Sequence, residues 1–265
     1  MKNMKPLEKI YFWIILIFMY LPIVTLIVLS FNQSKSRSHW GGFTFNWYIR
    51  LFSDSAILNA LANTLIIALI ATIAATIIGT VTCVALGGLN RRTRAFIMGI
   101  TNIPMINADI VTGISLMLLF RVLHFQSGFI SVLIAHITFN IPYVMLSVMP
   151  RMKTISPNVY EAALDLGAEP WYAFRKTVLP DLMPAIFSGA LMAFTMSLDD
   201  FVISYFVYGP NFVTLPVEIY NYTKKPLQPK IYALFTLLFL VILLLMVLMN
   251  LLQLRDARRR GREGT

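Results

Sequence analysis

Four stretches of the chain carry no charged residue: positions 10–34, 55–90, 122–150 and 231–254. Each exceeds the roughly 20 apolar residues that a helix needs to cross a hydrocarbon core of about 30 Å. They predict spans near 10–31, 62–87, 129–149 and 231–253. Two further apolar runs contain acids. One, 95–119, is interrupted by Asp109; the other, 182–207, holds Asp199 and Asp200. The pattern predicts an all-α integral membrane fold of six transmembrane helices, forming one domain over 1–265. No loop exceeds about 35 residues, which leaves no room for a separate soluble domain. No internal repeat is visible, and this speaks against the two-halved secondary transporters.

Composition supports that reading. Of 265 residues, 58% are hydrophobic and 13% charged, against about 25% charged in soluble domains, and the mean hydropathy is +0.73. The net charge of +10 comes from short basic clusters between apolar runs. They suit topology and contact with lipid head groups, and no basic stripe with interleaved aromatics suggests nucleic acid. With the N-terminus inside, the inner segments hold fifteen Lys and Arg and the outer ones seven, so both termini are expected in the cytoplasm. The first run is too long for a secretory signal and lacks a small-residue cleavage site after it, so it is expected to be an uncleaved span. Cys83, the one cysteine, reads as a small packing residue.

The longest inner loop, 151–180, has the grammar of two short helices. Ser156-Pro157 is a start signal, residues 157–166 suit a helix, and Gly167 suits a left-handed corner. Glu169-Pro170 starts a second helix, in which Phe174 and Val178 can share an apolar face. Pro180 is expected to stop it.

The string EAALDLGAEPWYAFRKTVLP in this loop resembles the EAA motif of binding-protein-dependent ABC importer permeases. The matching positions are Glu161, Ala162, Ala163, Gly167, Leu179 and Pro180. The resemblance implies a type I importer permease fold whose cytoplasmic coupling helices insert into a cleft of an ATPase dimer. In that role Ala162 and Ala163 allow close approach and Gly167 sets the corner. Glu161 offers a charge to the partner or to the amides at the start of its own helix. The resemblance covers nearly the whole chain. It looks most like the polyamine-importing members, through Phe45-Asn-Trp47-Tyr48, Asp109-Ile-Val111, and Ser197-Leu-Asp199-Asp200 with Gly209-Pro210, a pattern that related permeases for ferric iron and other small solutes share in large part.

Acids inside spans are costly and usually face a cavity or a partner. Asp109, Asp199 and Asp200 are therefore candidates for the path of a cationic solute, with Tyr143, Tyr205 and Tyr208 placed to add cation–π contacts. Other roles stand beside this one. Ser197-Leu-Asp-Asp can break span five and cap the helix that follows. Asp109 can pair with a basic residue on another subunit or be protonated by desolvation, and it lies beside a polar, kinked patch of Thr101, Asn102, Pro104 and Asn107 that suits a hinge as well as a cavity. His136 reads as a hydrogen-bonded packing residue ahead of a proton relay.

There is no Walker A pattern, so the chain is expected to hold no cofactor and to be no enzyme. ATP and Mg²⁺ would be bound by a partner ATPase dimer. The family also implies a second permease subunit, a sister chain being favoured, and an extracytoplasmic solute-binding protein. Alternatives are a same-family permease for iron, an organophosphonate or a small anion, and a self-contained cation channel or proton-coupled transporter. No nucleophile–base or metal-spacing constellation supports a membrane enzyme.

Overall fold

The computed structural model describes residues 6–35, 38–224, 229–241, 243–244 and 247. Helix α1 is Pro6–Ser30, α2 Asn46–Phe52, α3 Ser55–Gly87, α4 Arg91–Ile106, α5 Asp109–Val122, α6 Phe129–Thr154 and α7 Pro157–Asp165. Then follow α8 Pro170–Asp199, α9 Val202–Val207, α10 Leu215–Thr223 and α11 Pro229–Val241. Among the described residues four helices are long and apolar enough to cross a membrane, or five if the bent pair α4 and α5 is one span. The helical, membrane-spanning class expected from the sequence is thus present. The far half of the span expected over 231–253 lies largely outside the described residues.

The chain divides into two compact units, one comprising 1–55 with 221–265 and the other 56–220. In the first, Asn32 organises the turn after α1. Its side-chain amide donates to the His39 carbonyl and its oxygen accepts from the Ser34 and Gly41 amides, while the Trp47 indole donates to the Asn32 carbonyl at 2.7 Å. Phe31 stacks on Phe43 and meets Phe45 edge-on. In the same unit Asp54 accepts from Lys230 at 2.7 Å and from Tyr222.

The second unit is built around α6. Facing it, α3 presents a stripe of small residues that includes Ala68, Ala71, Thr72, Ala75, Gly79 and Cys83. The opposite face of α3, with Leu65, Leu69, Ile73 and Ile77, is exposed and equally apolar. A helix apolar on all sides suits lipid, and small residues let such helices approach closely, since apolar burial alone cannot hold helices together in lipid. Val144 of α6 is gripped from two sides. A Cβ added at Gly79 would lie 3.0 Å from its side chain, and one at Gly189 of α8 would lie 3.2 Å from its Cα. Cys83 is fully buried against Val144, Met145 and Val148, in the packing role expected of it.

Two expectations about helix ends are corrected. Pro180 does not stop a helix, because α8 runs unbroken from Pro170 to Asp199. The turn Phe174–Val178 widens to a π-helix directly before it. Such a turn makes room for a proline ring that would otherwise strike the carbonyl four residues back. The run 95–119 is not one straight helix. It breaks at Asn107-Ala108, and the two halves meet at 105°.

Gly189→Leu is expected to force α8 away from Val144 and to lower the thermal midpoint of the purified protein by the equivalent of about 1–3 kcal/mol or more. Gly99→Ala is the control. Nothing lies within 4 Å of the added methyl, so the midpoint should hold or rise slightly. Equal midpoints for the two variants would contradict the packing argument.

Candidate translocation and coupling sites

The inner corner is built by local chemistry. The Ser156 hydroxyl caps the Asn158 amide, and Pro157 occupies the first helical position of α7. At the other end Gly167 adopts φ +83°. Its amide donates to the Leu164 carbonyl at 2.8 Å, and the Ala168 amide donates to Ala163 at 3.1 Å. This pair of bonds is the Schellman closure, which satisfies the last carbonyls of a helix and needs a left-handed residue. Glycine is required here for its backbone angle, since nothing lies within 4 Å of the place a Cβ would occupy.

Glu161 and Ala162 are exposed, Ala163 and Leu179 are half-buried, and Pro180 is exposed. No hydrogen bond or ion pair holds Glu161 among the described residues. The Asn158 amide is already taken by Ser156, and Glu161 instead lines a cavity of about 810 Å³ with Arg94, Lys153 and Tyr160. Of the two roles weighed for Glu161, capping its own helix is not the one observed. The corner also carries apolar side chains that sequence reasoning passed over: Leu166 is 89% exposed, and Val159 and Trp171 are also open. For Leu166 the signal was its place directly before the corner glycine.

The acids occupy the two helix breaks. Asp109 is the first residue of α5, exposed, just after the 105° bend. Tyr143 lies in α6, half-buried against the cluster that includes Val132, Phe139 and Ile203. The segment after the second break packs on α5, where a Cβ at Gly113 would sit 3.3 Å from Ile203 and collide with the Phe206 ring. Tyr205 lies in an aromatic group with Phe201, Tyr208 and Tyr220, its ring centroid 5.3–6.0 Å from theirs.

Asp199 and Asp200 are adjacent in sequence and differ in environment. Asp199 ends α8 and is exposed. Asp200 is turned inward. It accepts from the Ile203 amide at 3.2 Å and the Ser204 amide at 2.8 Å, capping α9. Its side chain is 9% exposed and lies 3.4 Å from Nε2 of His136, itself 1% exposed. His136 meets the Ser197 hydroxyl at 2.6 Å through Nδ1 and the Ser204 hydroxyl at 2.9 Å through Nε2. The capping role weighed for this sequence is therefore the geometry of Asp200, and His136 is hydrogen-bonded and packed as expected. Asn140, one turn further along α6, is fully buried, and neither amide atom has a partner among the described residues.

Residues 79–261 match the family described as binding-protein-dependent transport system inner membrane component. The chain is 41% identical over 219 residues to the spermidine/putrescine transport system permease protein PotC of Escherichia coli (strain K12), covering 83% of each. It is 37% identical over 227 residues to the putrescine transport system permease protein PotI of the same strain, covering 83% of this chain and 80% of that one. Among solved structures, a bacterial ABC transporter involved in alginate import superimposes with a TM-score of 0.69 at 17% identity, covering 93% of this chain and 94% of that one. An amino acid ABC transporter with histidines gives 0.55 at 15%, covering 78% and 98%. The chain belongs to the binding-protein-dependent transport system inner membrane component family and has the fold of ABC importer subunits. The matched residues include α7 and all three acids.

Gly167→Val should strain the corner by about 1–2 kcal/mol, the cost of a left-handed branched residue. The expected result is a several-fold loss of solute uptake at unchanged membrane level. Unchanged uptake would show that the angle between α7 and α8 is unimportant.

Proposed function

We propose that this chain is one permease subunit of an ATP-driven importer of polyamines. It forms a single six-span domain in the inner membrane with both termini in the cytoplasm. A sister permease completes the path, two ATPase subunits engage the α7 corner, and a solute-binding protein delivers cargo from outside. ATP and Mg²⁺ bind to the ATPases and not to this chain.

One observation carries the substrate class. Asp109 and Asp199 are exposed on apolar helices, and no cationic side chain lies within ion-pair distance of either among the described residues. Carboxylates on such helices need a counter-charge, and a flexible solute with separated ammonium groups supplies one to each. Tyr143 of α6 and Tyr205 of α9 add ring faces to the same path. The permeases named for spermidine and putrescine among the relatives support this assignment over iron or an organophosphonate. The fold alone does not choose, since the alginate importer moves an acidic polysaccharide on it. For the coupling role, the support is the open apolar surface of Val159, Leu166 and Trp171 around Glu161. Nothing in a self-contained channel would require that surface. We assign Glu161, Ala162, Ala163, Gly167, Leu179 and Pro180 to this ATPase-facing corner.

Uptake of radiolabelled spermidine and putrescine into vesicles holding the assembled transporter tests both parts. Asp109→Asn and Asp199→Asn should each raise KM about ten- to hundredfold, the equivalent of one lost charge-assisted contact. Glu161→Lys should abolish uptake while the complex still assembles. A wild-type complex that hydrolyses ATP and moves no polyamine would send the substrate to the alternatives. Full uptake by Glu161→Lys would refute the coupling role.

A further inference from the structure

At the break between α8 and α9, one side chain of α6 meets both helices, while at the far end of α9 the Ser131 hydroxyl of α6 donates to the Val207 carbonyl at 2.8 Å. Ser197 lies in the last turn of α8, Asp200 at the break, and Ser204 in α9. His136 contacts all three, at 2.6, 3.4 and 2.9 Å. A neutral ring with its proton on Nε2 satisfies every partner. The Ser197 hydroxyl donates to Nδ1, and Nε2–H faces the Ser204 hydroxyl and the Asp200 carboxylate. The same carboxylate accepts the Ile203 and Ser204 amides, which the break has freed from the helical ladder. In a membrane those amides have no water to turn to. The imidazole thus pins both sides of a broken helix to α6.

The other end of α6 is the coupling corner. The helix runs without interruption to Thr154, and α7 starts at Pro157. The stretch from His136 to Thr154 is about 27 Å of helix, continuous although Pro142 and Pro150 lie inside it, so one element joins the ATPase-facing surface to the acid break. We infer that His136 is the positioning residue through which movement of α6 reaches the second acid, and that the acid pair is divided in role. Asp200 is committed to the clasp, and Asp199, exposed beside it, is the carboxylate presented to solute. The inference rests on the importer reading above and extends it, since that reading requires neither a joint at His136 nor a division of the pair.

The assembled transporter with its ATPases, reconstituted in vesicles, provides two independent readouts. The first is hydrogen–deuterium exchange over 201–207, which needs no solute. His136→Ala should speed exchange there tenfold or more, Ser204→Ala should do so by less, and exchange over 157–165 should stay as in the wild type. The second is transport. His136→Ala and Asp200→Asn should retain ATP hydrolysis but consume at least fivefold more ATP per solute moved, with KM within twofold of wild type. Asp199→Asn should raise KM. His136→Gln, which keeps a donor and an acceptor at the end of the side chain, should recover part of the transport stoichiometry. If His136→Ala does not assemble, Ser197→Ala and Ser204→Ala carry the test, since each removes a single hydroxyl. Exchange unchanged in the clasp variants would overturn the joint. A KM rise in Asp200→Asn equal to that in Asp199→Asn would overturn the division of roles. Absence of polyamine uptake by wild type would defeat the substrate reading alone, and the exchange result would still decide the clasp.

Discussion

A helix broken inside a membrane must find partners for its freed amides within the protein, and much of the second unit is arranged to supply them. Asp200 takes two of those amides. A buried carboxylate with only two backbone donors would still be costly, and His136 with its serines completes the set. The cluster needs α6 and α8 in fixed register, and the close approach at Val144 between Gly79 and Gly189 provides it. The start of α10 follows the same rule, where the Thr64 hydroxyl of α3 accepts the Leu215 amide at 2.7 Å. At these two places polar side chains let the backbone leave its helices safely.

What could be read from the sequence alone was local. Ser156-Pro157 and Gly167 announce α7 because capping and left-handed turns depend on a few neighbouring residues, and the structure shows both. Apolar run length located α1, α3 and α6 for the same reason. The readings that failed depended on what lies across the bundle. Pro180 looks like a stop signal, yet a π turn one step earlier absorbs its ring. The bend of 105° before Asp109 was visible only as a polar patch with a proline, because its angle is set by packing of α5 on α6 and α9. His136 had no neighbours in sequence to suggest its partners, which lie 61 and 68 residues away.

The candidate site divides along the same line. The motif residues of the inner corner could be named from their resemblance to the EAA motif, and their geometry is local. The candidate pathway acids could be named as a group and not ranked, because Asp199 and Asp200 differ only in which way the chain turns. That turn is decided by the cap. Once Asp200 points inward to hold α9, its neighbour at the end of α8 is left outside, so the structural demand of the break determines which acid remains available.

This ordering bears on how one fold serves opposite cargoes. The alginate importer shares the fold at 17% identity, so the fold by itself does not encode the charge of the solute. What can vary is the side chain left exposed at each break, because the cap satisfies the backbone whatever stands beside it. In this chain both exposed positions are carboxylates, Asp109 after the first break and Asp199 before the second. Lying on two different elements, they suit a solute whose charges are separated along a chain better than a compact ion. On the proposed reading, recognition needs no preformed cage, only two acids whose counter-charges arrive with the cargo, and a joint that moves one of them when the inner corner moves.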